Sequence, residues 1–388
     1  MHPRLALGKP VSRGAASSSG CRAEKGGRKL AAMSTLEVDA ALATDDDLAA
    51  CRGAIRTGSR TFHAASRILP TRVREPALSL YAFCRAADDA IDESGQPAAA
   101  LAALRERLAA AYERRPAAIP ADRALADVVA RFAIPREIPE ALLEGFAWDA
   151  ERRRYADLSG VLAYSARVAS TVGVMMALLM GARSAAALAR AADLGAAMQL
   201  SNIARDVGED ASAGRLYLPL DWLRAAGIDP EAFLVTPSFT PALGGVVDRL
   251  LEQADALYER AASGIGALPA ECRPAIHAAR LMYAEIGHEV ERRGHDSISS
   301  RAVVPRRRKA LLLARALSAA ASRGEPLPSL PALAETRFLV EAVVSADARS
   351  PLPADARQAA RPGVREQILW TLELFERLER RERLANQP

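Results

Sequence analysis

Cysteine is scarce in this chain: Cys21, Cys51, Cys84 and Cys272 are scattered over 388 residues. They form no C-x-x-C pair and have no histidine cluster nearby, which argues against a disulfide framework or a structural zinc site and favours a reducing, cytoplasmic setting. Long apolar runs are also missing. Val172 to Gly181 falls well short of the roughly 20 residues a bilayer span requires, and no signal-peptide pattern is present. The chain therefore reads as soluble or peripheral. Period-two alternation of β-branched residues is nearly absent, so few strands are expected. No G-x-G-x-x-G element occurs, an absence that by itself discriminates poorly between functions; no nicotinamide cofactor is expected.

Half of the residues are hydrophobic, enough for a sizeable core. The net charge is +5, but residues 1–32 hold seven Lys and Arg against Glu24 alone, a net of +6, which leaves −1 for the rest. A near-neutral body argues against nucleic-acid binding.

Residues 1–45, rich in Gly, Ser and Ala without apolar periodicity, read as a disordered basic tail, with Met33 as an alternative start. Residues 46–322 read as one all-α domain, a large helical bundle. Breaks are expected at Leu69-Pro70, Arg115 to Pro120, Ile134-Pro135, Gly181, Gly214 to Pro219, Pro237 to Pro241 and Leu268-Pro269. Between them helices of about 12 to 25 residues are expected. Residues 323–388 read as a Pro-rich linker and a helical extension packed on that domain. The extension holds an apolar segment at Phe338 to Val344 and a last amphipathic helix carrying Ile368, Leu372, Phe375 and Leu378.

Two polar stripes carry the chemistry. On a helix, Arg85, Asp88, Asp89 and Asp92 fall within an arc of about 100°. Carboxylates four residues apart repel, and a divalent cation resolves that repulsion; hard oxygens of this kind suit Mg²⁺ bridging to a phosphate. The rival reading is a solvated charged face. The second stripe sets Gln199, Asn202, Asp206 and Asp210 within about 80°, while Leu200, Ile203 and Val207 point elsewhere. Two such faces across a bundle would cage several Mg²⁺ ions and a diphosphate. A di-iron carboxylate bundle needs Glu-x-x-His pairs, and none accompanies these two helices.

With these motifs on the page, the chain resembles the squalene/phytoene synthase family of trans-isoprenyl diphosphate synthases, over roughly residues 48–310. Tyr81 to Asp92 carries the likeness, as does Gln199 to Pro219, where Arg205-Asp-Val-Gly-Glu-Asp210 runs into Gly214-Arg-Leu-Tyr-Leu-Pro219. Weaker agreement comes from Ser59-Arg-Thr61-Phe62, from Tyr164 to Gly173, from Ala279-Arg-Leu-Met-Tyr283 and from Arg301-Ala-Val-Val. The resemblance implies that Asp88, Asp92, Asn202 and Asp206 bind Mg²⁺, with Mn²⁺ as an alternative, and that Asp210 ligates or supports. It further implies that Ser59, Thr61, Phe62, Tyr81, Arg85, Gln199, Arg205, Tyr283 and Arg301 hold prenyl diphosphate, and that Tyr164 faces the reacting carbons. Ser170 stands where the family has glycine and Ala204 where it has a bulkier aliphatic, departures expected to alter cavity width.

The implied reaction is head-to-head condensation of two geranylgeranyl diphosphates to phytoene. Its rivals are a squalene-type synthase using farnesyl diphosphate and a non-catalytic assembly relative. Implied surroundings are a prenyl diphosphate substrate, peripheral membrane contact and downstream carotenoid enzymes. The basic run Arg306 to Lys309 reads as a solvated helix start or an anionic-lipid contact.

Overall fold

A computed structural model describes residues 41–58, 68–92, 94–321 and 330–350. Ser59, Thr61, Phe62 and the expected helix beyond Pro362 lie outside these, and Asp92 is described by its backbone alone. Among the described residues every element is helical. In chain order these are α1 (Asp45–Gly58), α2 (Thr71–Asp92), α3 (Pro97–Tyr112), α4 (Pro120–Arg131) and α5 (Glu137–Ala150). A bundle-crossing pair follows, α6 (Leu158–Ser165) and α7 (Thr171–Leu179), and then the central α8 (Ala185–Ser212). Two short helices, α9 (Leu220–Ala225) and α10 (Pro230–Val235), lead into α11 (Pro241–Ile265), α12 (Arg273–Arg292), α13 (Arg306–Ala321) and α14 (Arg337–Arg349).

Every break expected from Pro and Gly is present, and local chemistry explains the starts. Ser184 accepts a hydrogen bond from the Ala187 amide to open α8, and Thr240 does the same for Leu243 ahead of Pro241. Gly214, at φ +71°, follows the end of α8 in a conformation that costs other residues strain. Helix lengths run more widely than expected, from the six residues of α9 to the 28 of α8. Gly195 and Gly208 do not break α8, because each marks a close approach. A Cβ on Gly195 would lie 2.5 Å from the Ala169 carbonyl oxygen, and one on Gly208 would lie 2.8 Å from that of Ser297.

The apolar-run expectation needs correction. α6 and α7 are joined through a π-helical turn, Ala166–Ser170, into 22 continuous residues containing an 18-residue stretch of mean hydropathy 1.5, long and apolar enough by length and composition to cross a membrane. Reading uninterrupted runs missed it because Arg167 and several hydroxyl residues interrupt the pattern. Their polarity is absorbed locally: Arg167 pairs with Glu144 at 2.9 Å and lies 4.1 Å over the Trp148 ring. Just over half of that 18-residue stretch, 56%, is buried inside the helical body.

α8 organises the interior. Its first half, Ala187 to Ala192, packs into a core built largely from α2 to α5 and α7. Its second half, Ala196 to Ala211, packs into a second core with α11 and the aromatic residues Tyr155, Tyr164 and Tyr217. Small residues on α8 let the neighbours approach closely. After Leu330 the chain lies against this body: Leu339 and Val343 of α14 are fully buried, and the Pro331 carbonyl accepts from Arg190 and Arg260 at 3.1 and 2.9 Å.

Candidate active site

The last turns of α2 present the first stripe. Arg85 grips Asp89 in a fork, with Nε 3.0 Å from Oδ2, while Asp88 lies 3.5 Å from the same guanidinium. These side chains are about two-fifths exposed, so the helix end opens toward solvent. Asp89 is thus the arginine's close partner, and Asp88 lies on the same partly exposed face.

On α8 the second stripe is more enclosed. The carboxylate of Asp206 receives two guanidinium forks. Arg205 donates from Nε at 2.7 Å, and Arg301 from Nε at 2.8 Å and Nη2 at 3.2 Å. Burial alone would raise the pKa of Asp206, but these hydrogen bonds and charges outweigh it and hold the group below its usual value. At Asp210, one turn on, the charge of Arg215 compensates only in part. Burial first, then the charge of Asp206, push this acid up to about 7. Raised carboxylates beside ionised ones mark a local excess of negative charge. A donor set made only of hard oxygens in such a field fits a divalent cation such as Mg²⁺.

Arg301 reaches Asp206 because the segment after α12 is stitched to α8. Ser297 accepts from the Gly208 amide at 3.0 Å through its carbonyl and donates its hydroxyl to the Ala204 carbonyl at 2.6 Å. Ala204 and Gly208 together form the flat patch on which that segment rests.

Between the two stripes an apolar cavity of about 390 Å³ runs into the bundle. Tyr81, Gln199, Asn202 and Tyr283 line its polar end, and Ala187, Gly264 and Leu268 lie along its apolar length. Ser170 and Ala204 do not line it, which corrects the expectation that they alter its width. Ser170 is fully buried and donates its hydroxyl to the Ala192 carbonyl at 2.7 Å, and Ala204 faces the Ser297 segment. Tyr164 does not line the cavity either; it belongs to a group of tyrosines beside the acidic mouth.

That group surrounds Asp149, a residue the sequence did not single out. Tyr164 donates to its Oδ2 at 2.9 Å and Tyr217 to its Oδ1 at 2.6 Å. Burial raises Asp149 to about 6 against the lowering effect of both phenols, and the charges of Asp88 and Arg215 act on it. It also contributes to the raised pKa of Asp210. The sequence signal was weak: one acid closing an apolar helix, with no second carboxylate one turn away.

Elsewhere the charged residues have structural partners. One Glu-x-x-His pair, Glu285 and His288, sits on α12, but Glu285 is held by Arg292 and Arg308 at 2.8 Å each. Arg308 is therefore committed to that contact. Arg306 and Arg307 stand exposed at the start of α13, as a solvated helix start would.

The squalene/phytoene synthase family profile matches residues 55–309. A phytoene synthase from Rhodobacter capsulatus is 58% identical over 285 residues, 72% of this chain and 84% of that protein. A phytoene synthase from Cereibacter sphaeroides is 54% identical over 285 residues, 71% of this chain and 80% of its own length. Among solved structures, a dehydrosqualene synthase in complex with ligand superposes with a TM-score of 0.65 at 31% identity, covering 70% of this chain and 96% of that one. A squalene synthase from Alicyclobacillus acidocaldarius does so at 0.61 and 25% identity, covering 64% and 95%.

Proposed function

The chain belongs to the squalene/phytoene synthase family, and from that premise we propose that it condenses two geranylgeranyl diphosphates head to head into phytoene, a step of carotenoid biosynthesis. The observation that carries the reading is the joining of an acidic, arginine-lined mouth to a deep apolar cavity on one helix. Asn202 and Ala187 both line that cavity and lie 15 positions apart on α8, roughly 22 Å at 1.5 Å per residue. An extended isoprenyl unit spans about 5 Å by ordinary covalent geometry, so four units fill that length and three fall short. This favours the C20 substrate over the C15 one, in line with the names carried by the relatives above half identity.

In this mechanism Asp88, Asp92, Asn202, Asp206 and Asp210 would hold Mg²⁺, whose charge would stabilise the departing diphosphate. Arg85, Arg205 and Arg301 are placed to take phosphate oxygens; Arg205 and Arg301 can turn from Asp206 to the anion because their planar forks suit either partner. Tyr81, Gln199 and Tyr283 border the cavity where the first carbons of the chain would enter. Loss of the first diphosphate gives an allylic cation that the second substrate's double bond attacks, and proton loss closes a cyclopropylcarbinyl diphosphate. A second ionisation, rearrangement and proton loss complete phytoene. Two substrates thus yield one hydrocarbon, two diphosphates and two protons, with no reductant consumed. The apolar walls exclude the water that would quench each cation. A cytoplasmic enzyme, drawing its substrate from a membrane surface and passing its product to carotenoid-modifying enzymes, is the setting this reading implies.

Incubation of the purified protein with Mg²⁺ and either geranylgeranyl or farnesyl diphosphate is the direct test. A C40 hydrocarbon from the first, in the absence of reductant, is expected; unchanged C20 substrate beside consumed C15 substrate would overturn the reading.

The acidic mouth also predicts a pH effect. Burial and the charge of Asp206 push Asp210 up to about 7, and a metal held there would compete with its proton. The Mg²⁺ concentration giving half-maximal rate should therefore rise as pH falls from 8 to 6, with the full rate recovered by added Mg²⁺. A half-saturating concentration that does not move over this range would contradict the assignment.

A further inference from the structure

We infer that Asp149 is a positioning residue that accepts the hydroxyl hydrogens of two tyrosines in hydrogen bonds, so that their oxygens are left to face the reacting cation with lone pairs instead of hydrogens. The inference rests on the condensation proposed above. Each carboxylate oxygen of Asp149 receives one phenol, Oδ2 from Tyr164 at 2.9 Å and Oδ1 from Tyr217 at 2.6 Å. The two rings are stacked, with centroids 5.0 Å apart and planes 20° from parallel, and Tyr155 flanks both at 5.4 and 6.4 Å. Tyr164 and Tyr217 are 4% and 9% exposed, so water does not compete for these hydrogen bonds.

The arrangement sits beside the acidic mouth. Asp149 acts electrostatically with both Asp88 and Asp210, one from each stripe, so the tyrosine group lies near the acids assigned to the metal and not on the wall of the apolar cavity. A hydroxyl pointing its hydrogen at a carbocation would oppose it. A hydroxyl whose proton is held by a carboxylate instead presents an oxygen made more negative by that charge-assisted bond, beside an electron-rich ring face. With both oxygens occupied, Asp149 needs no contact with substrate or metal to exert this effect.

Three elements build the device. Asp149 ends α5, Tyr164 lies on α6, and Tyr217 lies in the turn after α8. That turn is tied to the residues after α5, since the Leu220 and Asp221 amides donate to the Tyr155 and Ala156 carbonyls at 3.0 Å.

The substitution Asp149→Asn is the sharpest probe. A carboxamide has one acceptor oxygen and one donor group, so its NH₂ must face one phenol oxygen and force that hydroxyl's hydrogen outward. The experiment measures steady-state rates and products from geranylgeranyl diphosphate and Mg²⁺ for the parent, Asp149→Asn, Tyr164→Phe, Tyr217→Phe and the double variants with Asp149→Asn. The expected result is a fall in kcat of about 10²-fold for Asp149→Asn, with KM nearly unchanged, as for a group felt only in the transition state. Its products shift toward cyclopropylcarbinyl diphosphate and water-captured alcohols. Each double variant is expected to lose no more than its worse single, because the residues act as one unit.

Losses that multiply in the doubles, or a loss relieved by excess Mg²⁺ as for a metal ligand, would overturn the inference. If Asp149→Asn does not fold, the two Phe variants decide: an unchanged product mixture from both would overturn it alone. A parent that forms product while Asp149 proves independent of the tyrosines removes this inference only, whereas a parent inactive on both C20 and C15 diphosphates removes it together with the function.

Discussion

Asp206→Asn is expected to lower the rate of phytoene formation by at least about 10³-fold while leaving the helical fold intact, since preorganised charge at the leaving group is commonly the largest single contribution to catalysis. Asp206 is gripped by two guanidiniums at once. The carboxamide keeps one acceptor oxygen but loses the charge that orders Arg205 and Arg301 and that a divalent cation needs. Both arginines stand where solvent or substrate can reach them, Arg301 most of all at 46% exposure, so stability has little at stake. Product formation followed across a Mg²⁺ titration checks this. A variant within tenfold of the parent at all Mg²⁺ concentrations would remove Asp206 from the metal assignment. Asp88→Ala should weaken activity in the same direction, because the opposite stripe then loses one of its carboxylates.

A second substitution should act on stability instead. Asp193 and Arg190, one turn apart on α8, form a fully buried ion pair at 2.9 Å, with Arg260 adding a contact at 3.1 Å. Burial pushes Asp193 up and Arg190 down, each toward its neutral form, so the interior charges are held only by their pairing. Asp193→Ala leaves Arg190 buried without its counter-charge. Breaking such a pair costs about 3–5 kcal/mol. At about 2–4 °C per kcal/mol for a chain of this class, the melting temperature should fall by roughly 10 °C. Thermal melting by circular dichroism reads it. A shift under about 2 °C would mean that the pair is dispensable. Combining Asp193→Leu with Arg190→Met should recover much of the loss, since apolar residues of similar volume often replace buried pairs at no cost.

The all-helical class was legible because it depends on residues near one another in the sequence. Pro70, Pro120, Pro135, Gly181 and Pro241 stop or start helices through backbone geometry alone. The same holds for the two stripes: helical rotation fixes Asp88 relative to Arg85 and Asp206 relative to Asn202 before anything packs. What the stripes face was not legible in this way. The pairing of Asp206 with Arg301 spans 95 positions and exists because the Ser297 segment rests on Gly208 and Ala204. The continuous helix from Leu158 to Leu179 hid behind Arg167, whose charge is absorbed by Glu144 and Trp148 from another helix.

By itself, then, the sequence determined the helices, the positions of their ends and the two acidic faces, because these follow from local backbone preference and a fixed 100° rotation per residue. Tertiary structure alone decided three things: that burial and the charge of Asp206 outweigh Arg215 at Asp210, that an apolar cavity follows α8 from Asn202 to Ala187, and that Asp149 collects two distant tyrosines. Each depends on the low-polarity interior created when separate helices meet, where burial and long-range charge set the chemistry. No local pattern encodes those meetings.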